Sequence, residues 1–191
     1  HNGINLHKEA IKVLIEITKK GKEYILLTNA PRPNDVVKSF LKKMGMAKEI
    51  REHVFTSGQA SLNYLKKNLS SKNFFHVGPP RDFDLFNDFV KMKSDNIDDG
   101  EYILCTGLFE KFEQNLNYYK HLFEKNLDKE MVCTNPDLIV DRGDKRELCA
   151  GSVAMVFEKM GGKVVYFGKP YAEVYNQSID NFKKKTLAIG D

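Results

Sequence analysis

The chain has 191 residues, 41% hydrophobic and 29% charged, with no tryptophan and a formal net charge of +4. Such a chain has a real core, as one large domain or two small ones, and is not disordered or low in complexity. No apolar run approaches the ~20 residues of a membrane span and no apolar leader is visible, so a cytoplasmic protein is expected, with no membrane partner.

The positive charge is carried mostly by lysine, in short runs such as Lys42-Lys43 and Lys183-Lys184-Lys185. A nucleic-acid surface would want a longer basic stripe, more arginine or interleaved aromatics, so no nucleic-acid partner is expected. Cys105, Cys133 and Cys149 are widely spaced and odd in number, with no CxxC pair, and read as reduced, partly buried thiols.

In chain order, Leu6 to Lys20 carries apolar residues at Leu6, Ala10, Ile11, Val13, Leu14 and Ile15, a helical face stopped by Gly21. A strand over Glu23–Leu27 meets Thr28-Asn29 and the proline-rich loop "APRP". Asn34 then caps a helix with Val36, Val37, Phe40, Leu41 and Met44 inward, stopped by Gly45. A short strand at His53–Thr56 precedes a helix from about Gln59 to Asn68. The rhythm repeats: strand Asn73–Val77, weak helix Phe83–Val90, strand Tyr102–Cys105, long helix Lys111–Lys125 and strand Met131–Thr134. Asp141 to Arg146 is a charged loop or hairpin. Helix Ala150–Met160, strand Lys163–Phe167, helix Ala172–Phe182 and strand Thr186–Ile189 complete the chain. Alternating helix and strand predicts a mostly parallel α/β sheet, and without tandem repeats a second domain must be an insertion.

In open parallel sheets ligands bind beyond the carboxyl ends of the strands. Three strands end on Thr28-Asn29, Gly168-Lys169-Pro170 and Gly190-Asp191. A hydroxyl with backbone N–H groups can hold phosphoryl oxygens, an ammonium can balance their charge, and a carboxylate can hold a hard cation such as Mg²⁺. Taken singly, each has an ordinary explanation as turn, surface loop or helix cap; their joint placement carries the reading.

The ordered set LLTN … GKP … AIGD resembles the second, third and fourth motifs of the haloacid dehalogenase-like phosphohydrolases. "LLTNAPRP", "CTNPD" and "CAGSVAMVFEKMGGKVVYFGKPYAEVY" resemble the class IIA (NagD-type) subfamily, over essentially the whole chain. The resemblance implies a Rossmann-like parallel-sheet core, residues 1–58 and 167–191, with an inserted α/β cap at 59–166. It implies Mg²⁺-dependent hydrolysis of a small phosphorylated metabolite through an aspartyl-phosphate. Thr28 would bind the transferring phosphoryl group, with Ala30 in the same turn. Asn29 would shape the site and meet substrate or cap. Lys169 would neutralise phosphoryl oxygens, Asp191 would belong to the metal site, and Asn135 and Asp137 would lie on the substrate-facing loop.

The family's first motif carries two aspartates on the central strand, and this sequence has no Asp before Asp35. "HNG" at residues 1–3 resembles the tail of that motif. The expectation is therefore an incomplete core lacking its first strand, and a chain that is inactive by itself. The main rival is a non-catalytic relative binding a phosphorylated ligand or a protein. A response-regulator or flavodoxin-like domain is a third reading, which gains if the middle segment continues one sheet with the ends. Arg142 and Arg146 suggest a polar pocket or simply surface charge. The aromatic Phe109–Phe123 stretch could be core or the interface of a homodimer.

Overall fold

The computed structural model describes residues 5–142, 145–179 and 185–190 of the protein. Lys8–Lys19 forms helix α1, closed by Gly21, whose φ of +61° suits a residue without a side chain. Strands β1 (Leu26–Thr28) and β2 (Val54–Thr56) pair in parallel, with Leu26 opposite Val54 and Thr28 opposite Thr56. Between them run α2 (Asn34–Lys43) and α3 (Lys48–Arg51).

Strand periodicity splits this small sheet's side chains between two faces. Leu26 and Val54 join Leu41, Met46 and Ile50, against which Leu6, Ile11 and Leu14 pack. Leu27 and Phe55 turn the other way. Val13 and Ile15, expected on the inner face of α1, are exposed. They fall off the stripe that Ile11 and Leu14 form at a spacing of three.

After α4 (Ser57–Asn68) the chain builds a second, larger sheet. Strands β3 (Phe74–Val77), β4 (Lys93–Ser94), β5 (Tyr102–Cys105) and β6 (Glu130–Cys133) belong to it. A hairpin, β7 (Ile139–Arg142) and β8 (Lys145–Leu148), stands apart from it. Helix α6 (Ala150–Lys159) then returns the chain to β9 (Lys163–Tyr166) at the sheet edge, and α7 (Ala172–Ile179) follows. The order is β4-β3-β5-β6-β9 and every pairing is parallel. The middle segment thus makes its own sheet and does not continue the β1–β2 sheet, which takes away the condition on which the third reading depended.

Both faces of the large sheet are covered, as an all-parallel sheet requires. On one face α6 and α5 (Leu116–Phe123) pack through Tyr119, Phe123, Val153 and Phe157. On the other, α4, the 3-10 segment Pro80–Met92 and Val174 of α7 pack through Leu65, Phe74, Leu85 and Phe86. Leu27 and Phe55 join this second cluster, so one apolar layer lies between the two sheets.

Several elements differ from the sequence reading. The expected long helix at Lys111–Lys125 is a short 3-10 turn, Glu110–Phe112, followed by α5. Asn115 starts α5 by accepting from the Tyr118 N–H at 3.2 Å, which separates the two pieces. Asn34 does not cap α2, because its Oδ1 accepts instead from Thr56 N of β2 at 3.0 Å. Phe40 of α2, expected inward, is 43% exposed. Residues 185–190 form no strand, and Leu187 and Ile189 are 80% and 87% exposed. An apolar tetrapeptide makes a strand only where it finds a ladder partner, and among the described residues β1 pairs with β2 alone.

Phe157 is fully buried and meets Phe123 edge to face, with centroids 5.1 Å apart. Phe157→Ala should lower the free energy of unfolding by about 3–5 kcal/mol in urea denaturation.

Candidate functional site

The carboxyl ends of strands from both sheets converge on one side chain. Asn29, one residue past β1, has its Oδ1 2.7 Å from the Lys169 N–H it accepts. Its Nδ2 donates to the Lys169 carbonyl at 3.0 Å and to Asp137 Oδ1 at 2.8 Å. Three of the expected site residues, Asn29, Lys169 and Asp137, are thereby joined across 108 and 140 residues of sequence. Thr28 is the last residue of β1, and its Oγ1 accepts from the Ala30 N–H at 3.3 Å, so hydroxyl and amide already point at one another. Asn135 Oδ1 accepts from the Asp137 N–H at 2.9 Å, which folds the 135–137 loop into an Asx turn. Asp191 lies outside the described residues.

Each segment is held from behind by small residues. Ala30 O accepts from Gly58 N and from Ser57 Oγ, both at 3.0 Å. Thr56 Oγ1 donates to Arg32 O at 2.6 Å and accepts from Gln59 N at 2.9 Å. A Cβ on Gly58 would stand 2.1 Å from Arg32 N, so only glycine lets the proline-rich loop lie on the first turn of α4. On the other side, Gly151 N donates to Asp137 O at 3.1 Å and Ser152 Oγ donates to Leu138 O at 2.6 Å, seating the 135–138 loop on α6.

A second polar group ties the same proline-rich loop to the large sheet. The chain leaves β3 for β4 on one side and for β5, β6 and β9 on the other, so the carboxyl ends of β3 and β5 form the switch point of that sheet. Here Asp82, with its side chain 5% exposed, accepts from Arg32 Nη2 at 3.2 Å. His76 Nε2 lies 2.8 Å from Thr106 Oγ1. Burial raises the Asp82 pKa above the ordinary carboxylate value, against the pull of Arg32 and Arg81. Burial, with Lys93, depresses His76 to about 3, so it is neutral. Sequence reading missed this network; its one local signal was Arg32 and Asp82 each beside a proline-rich turn.

Cys105 and Cys133, distant in sequence, are opposite one another on β5 and β6 and fully buried. The contact with Cys133, then burial, pushes the Cys105 thiol pKa up, so it stays protonated. Arg146 pairs with Asp141 on the exposed hairpin at 2.8 Å, and Tyr119 and Phe123 belong to the core. Among the described residues no three metal-ligating side chains come together, and no helix is long and apolar enough to cross a membrane.

Residues 1–89 match the family model described as haloacid dehalogenase-like hydrolase. The structure superposes on a hydrolase of that family from Brucella suis with a TM-score of 0.82 and 26% identity, over 95% of this chain and 66% of that one. The family match lies within residues 1–89, and the likeness in fold to the Brucella hydrolase extends over nearly the whole chain. A structure named as a nagD protein superposes with a TM-score of 0.71 at 19% identity, over 94% of this chain and 70% of that one. A p-nitrophenyl phosphatase from Archaeoglobus fulgidus gives 0.68 at 17%, over 93% and 70%. These last two share the fold. No curated protein matches the sequence. The chain spans about two thirds of the length of the Brucella hydrolase.

The neutral buried histidine makes stability depend on pH. His76 titrates at about 3 when folded against 6.5 when free, so the unfolded chain takes up the proton first. Stability should therefore fall as pH drops below 6.5 toward 3. Asp82, shifted upward, acts with the opposite sign at the acid end of that window. His76→Gln, which keeps a polar partner for Thr106, should flatten the slope of unfolding free energy between about pH 5 and 6.5.

Proposed function

We propose that this chain carries the phosphoryl-binding half, and the cap, of a phosphate-monoester hydrolase acting on a small phosphorylated metabolite. The observation that carries the reading is the joining of the β1 and β9 ends through Asn29, which sets Thr28 and Lys169 at one mouth. The family and its phosphatase neighbours agree with that chemistry. In this reading residues 59–166, with the five-stranded sheet, form a cap over a core of residues 1–58 and 167–191.

The Thr28 hydroxyl and the Ala30 N–H, which bond each other, would turn to a phosphoryl oxygen when one is present. The Lys169 ammonium would offset the charge on the equatorial oxygens, where positioning and electrostatics supply nearly all of the catalysis. Asn135 and Asp137, on the loop opposite, would meet the leaving group. The attacking carboxylate, which the resemblance assigns to an aspartate forming an acyl phosphate, has no counterpart among these side chains. Asp137 is held by Asn29 and belongs to the leaving-group side. The resemblance gives Asp191 to a Mg²⁺ site, and the described residues do not by themselves make one. Thr28, Ala30 and Lys169 bind and neutralise the phosphoryl group through their own atoms.

Calorimetric titration with inorganic phosphate tests this. The 191-residue chain should bind it, Lys169→Ala should weaken binding about 10- to 100-fold, and Thr28→Ala should weaken it several-fold. The same chain should not turn over p-nitrophenyl phosphate with Mg²⁺. Turnover that survives repurification and is lost in Thr28→Ala would overturn the division between binding and attacking halves. Phosphate binding that ignores Lys169 would favour a non-catalytic relative with another ligand site.

A further inference from the structure

We propose that Asn29 is a positioning residue whose amide locks the turn at Gly168–Tyr171 and the cap loop at 135–137 to the end of β1. Lys169 is then in its working position only when the cap loop is seated. This rests on the reading of Thr28 and Lys169 as phosphoryl-binding side chains.

Both Nδ2 hydrogens of Asn29 are committed, one to Asp137 Oδ1 and one to the Lys169 carbonyl. No donor remains for a ligand, so Asn29 acts through its neighbours. Its contacts with Lys169 are made to the backbone N–H and carbonyl, which fixes the turn and leaves the ammonium for an anion. The chemistry requires an amide. Two acceptors, a carboxylate and a carbonyl, and one donor, an N–H, meet at a single side chain. Serine has one hydrogen to give, and aspartate has none when ionised.

The packing leaves no slack in the three segments. Gly168 has φ +130°, and a Cβ there would stand 2.5 Å from Pro136 Cδ and 2.8 Å from Asn29 Oδ1. On the far side of the same loop, a Cβ on Gly151 would stand 2.1 Å from Pro136 O. A shift of the 135–137 loop therefore has to move the lysine turn or break the Asn29 bonds.

The test uses three variants of the 191-residue chain: N29D, D137N and N29D/D137N. N29D keeps the shape and the acceptor for Lys169 N–H, but turns a carboxylate toward Asp137 and the Lys169 carbonyl. D137N alone keeps an acceptor for Asn29. The double variant restores a bond between positions 29 and 137 with its direction reversed. Amide hydrogen exchange at positions 137 and 151 should speed up about tenfold in N29D, with β5 and β6 unchanged. It should stay near wild type in D137N and return to within about threefold of wild type in the double variant. Phosphate affinity should fall in N29D at unchanged melting temperature and recover only in part in the double variant, whose position 29 carboxylate still leaves the Lys169 carbonyl without a donor. Exchange in N29D equal to wild type, or a double variant no better than N29D, would overturn the proposal. So would phosphate affinity unchanged in N29D, which would show that Lys169 works without the clasp. If the wild-type chain binds no phosphate, the functional reading fails and the exchange arm still decides the clasp.

Discussion

Asn29 offers one acceptor oxygen and two donor hydrogens, and the structure uses them on partners that share no local sequence with it. The Asn29 bonds hold the ends of strands from two separate sheets against one another. Burying polar backbone near such a junction is costly unless it is paired, and the Lys169 peptide is paired on both its N–H and its carbonyl by this single amide. The mouth that Thr28, Lys169 and the 135–137 loop share exists because that accounting closes.

Around this junction the backbone is shaped by residues without bulk. Gly58 lets the proline-rich loop rest on α4, Gly151 lets the 135–138 loop rest on α6, and Gly168 lets the lysine turn pass Pro136. Hydroxyls of Thr56, Ser57 and Ser152 donate to loop carbonyls at these close approaches. The prolines of "APRP" restrict the loop, but the β2–α4 junction holds it in place. Arg32 then reaches from the loop to Asp82, and Thr106 and His76, both buried, bond each other near the carboxyl ends of β3 and β5. Buried polar groups paired in this way specify one arrangement, since loss of a partner leaves a buried group unpaired.

The sequence was most legible where a local rule suffices. Helix stops at Gly21 and Gly45 and the apolar strand at Tyr102–Cys105 follow from positive φ and β propensity. Thr28, Asn29 and Lys169 were legible as residues near strand ends because they follow strand-like runs. It was least legible where a local preference met a distant competitor. Asn34 had a good capping position and was taken by Thr56 N. Lys111–Lys125 had a continuous helical pattern and was divided by Asn115. Thr186–Ile189 had strand composition and found no ladder among the described residues.

What the sequence by itself determined was the kind of protein: a parallel α/β chain with polar residues at its strand ends and a resemblance to a hydrolase family. Periodicity and turn chemistry act within a few residues, and those rules need nothing else. What only the tertiary structure decided was the role of each polar residue. Whether Asn29 meets a ligand or a neighbour, and whether Cys105 sees Cys133, depend on registers and packing across 28 to 140 residues. Hydrogen bonds are short and directional, so sub-ångström placement by the two sheets, and not residue type, assigned their partners.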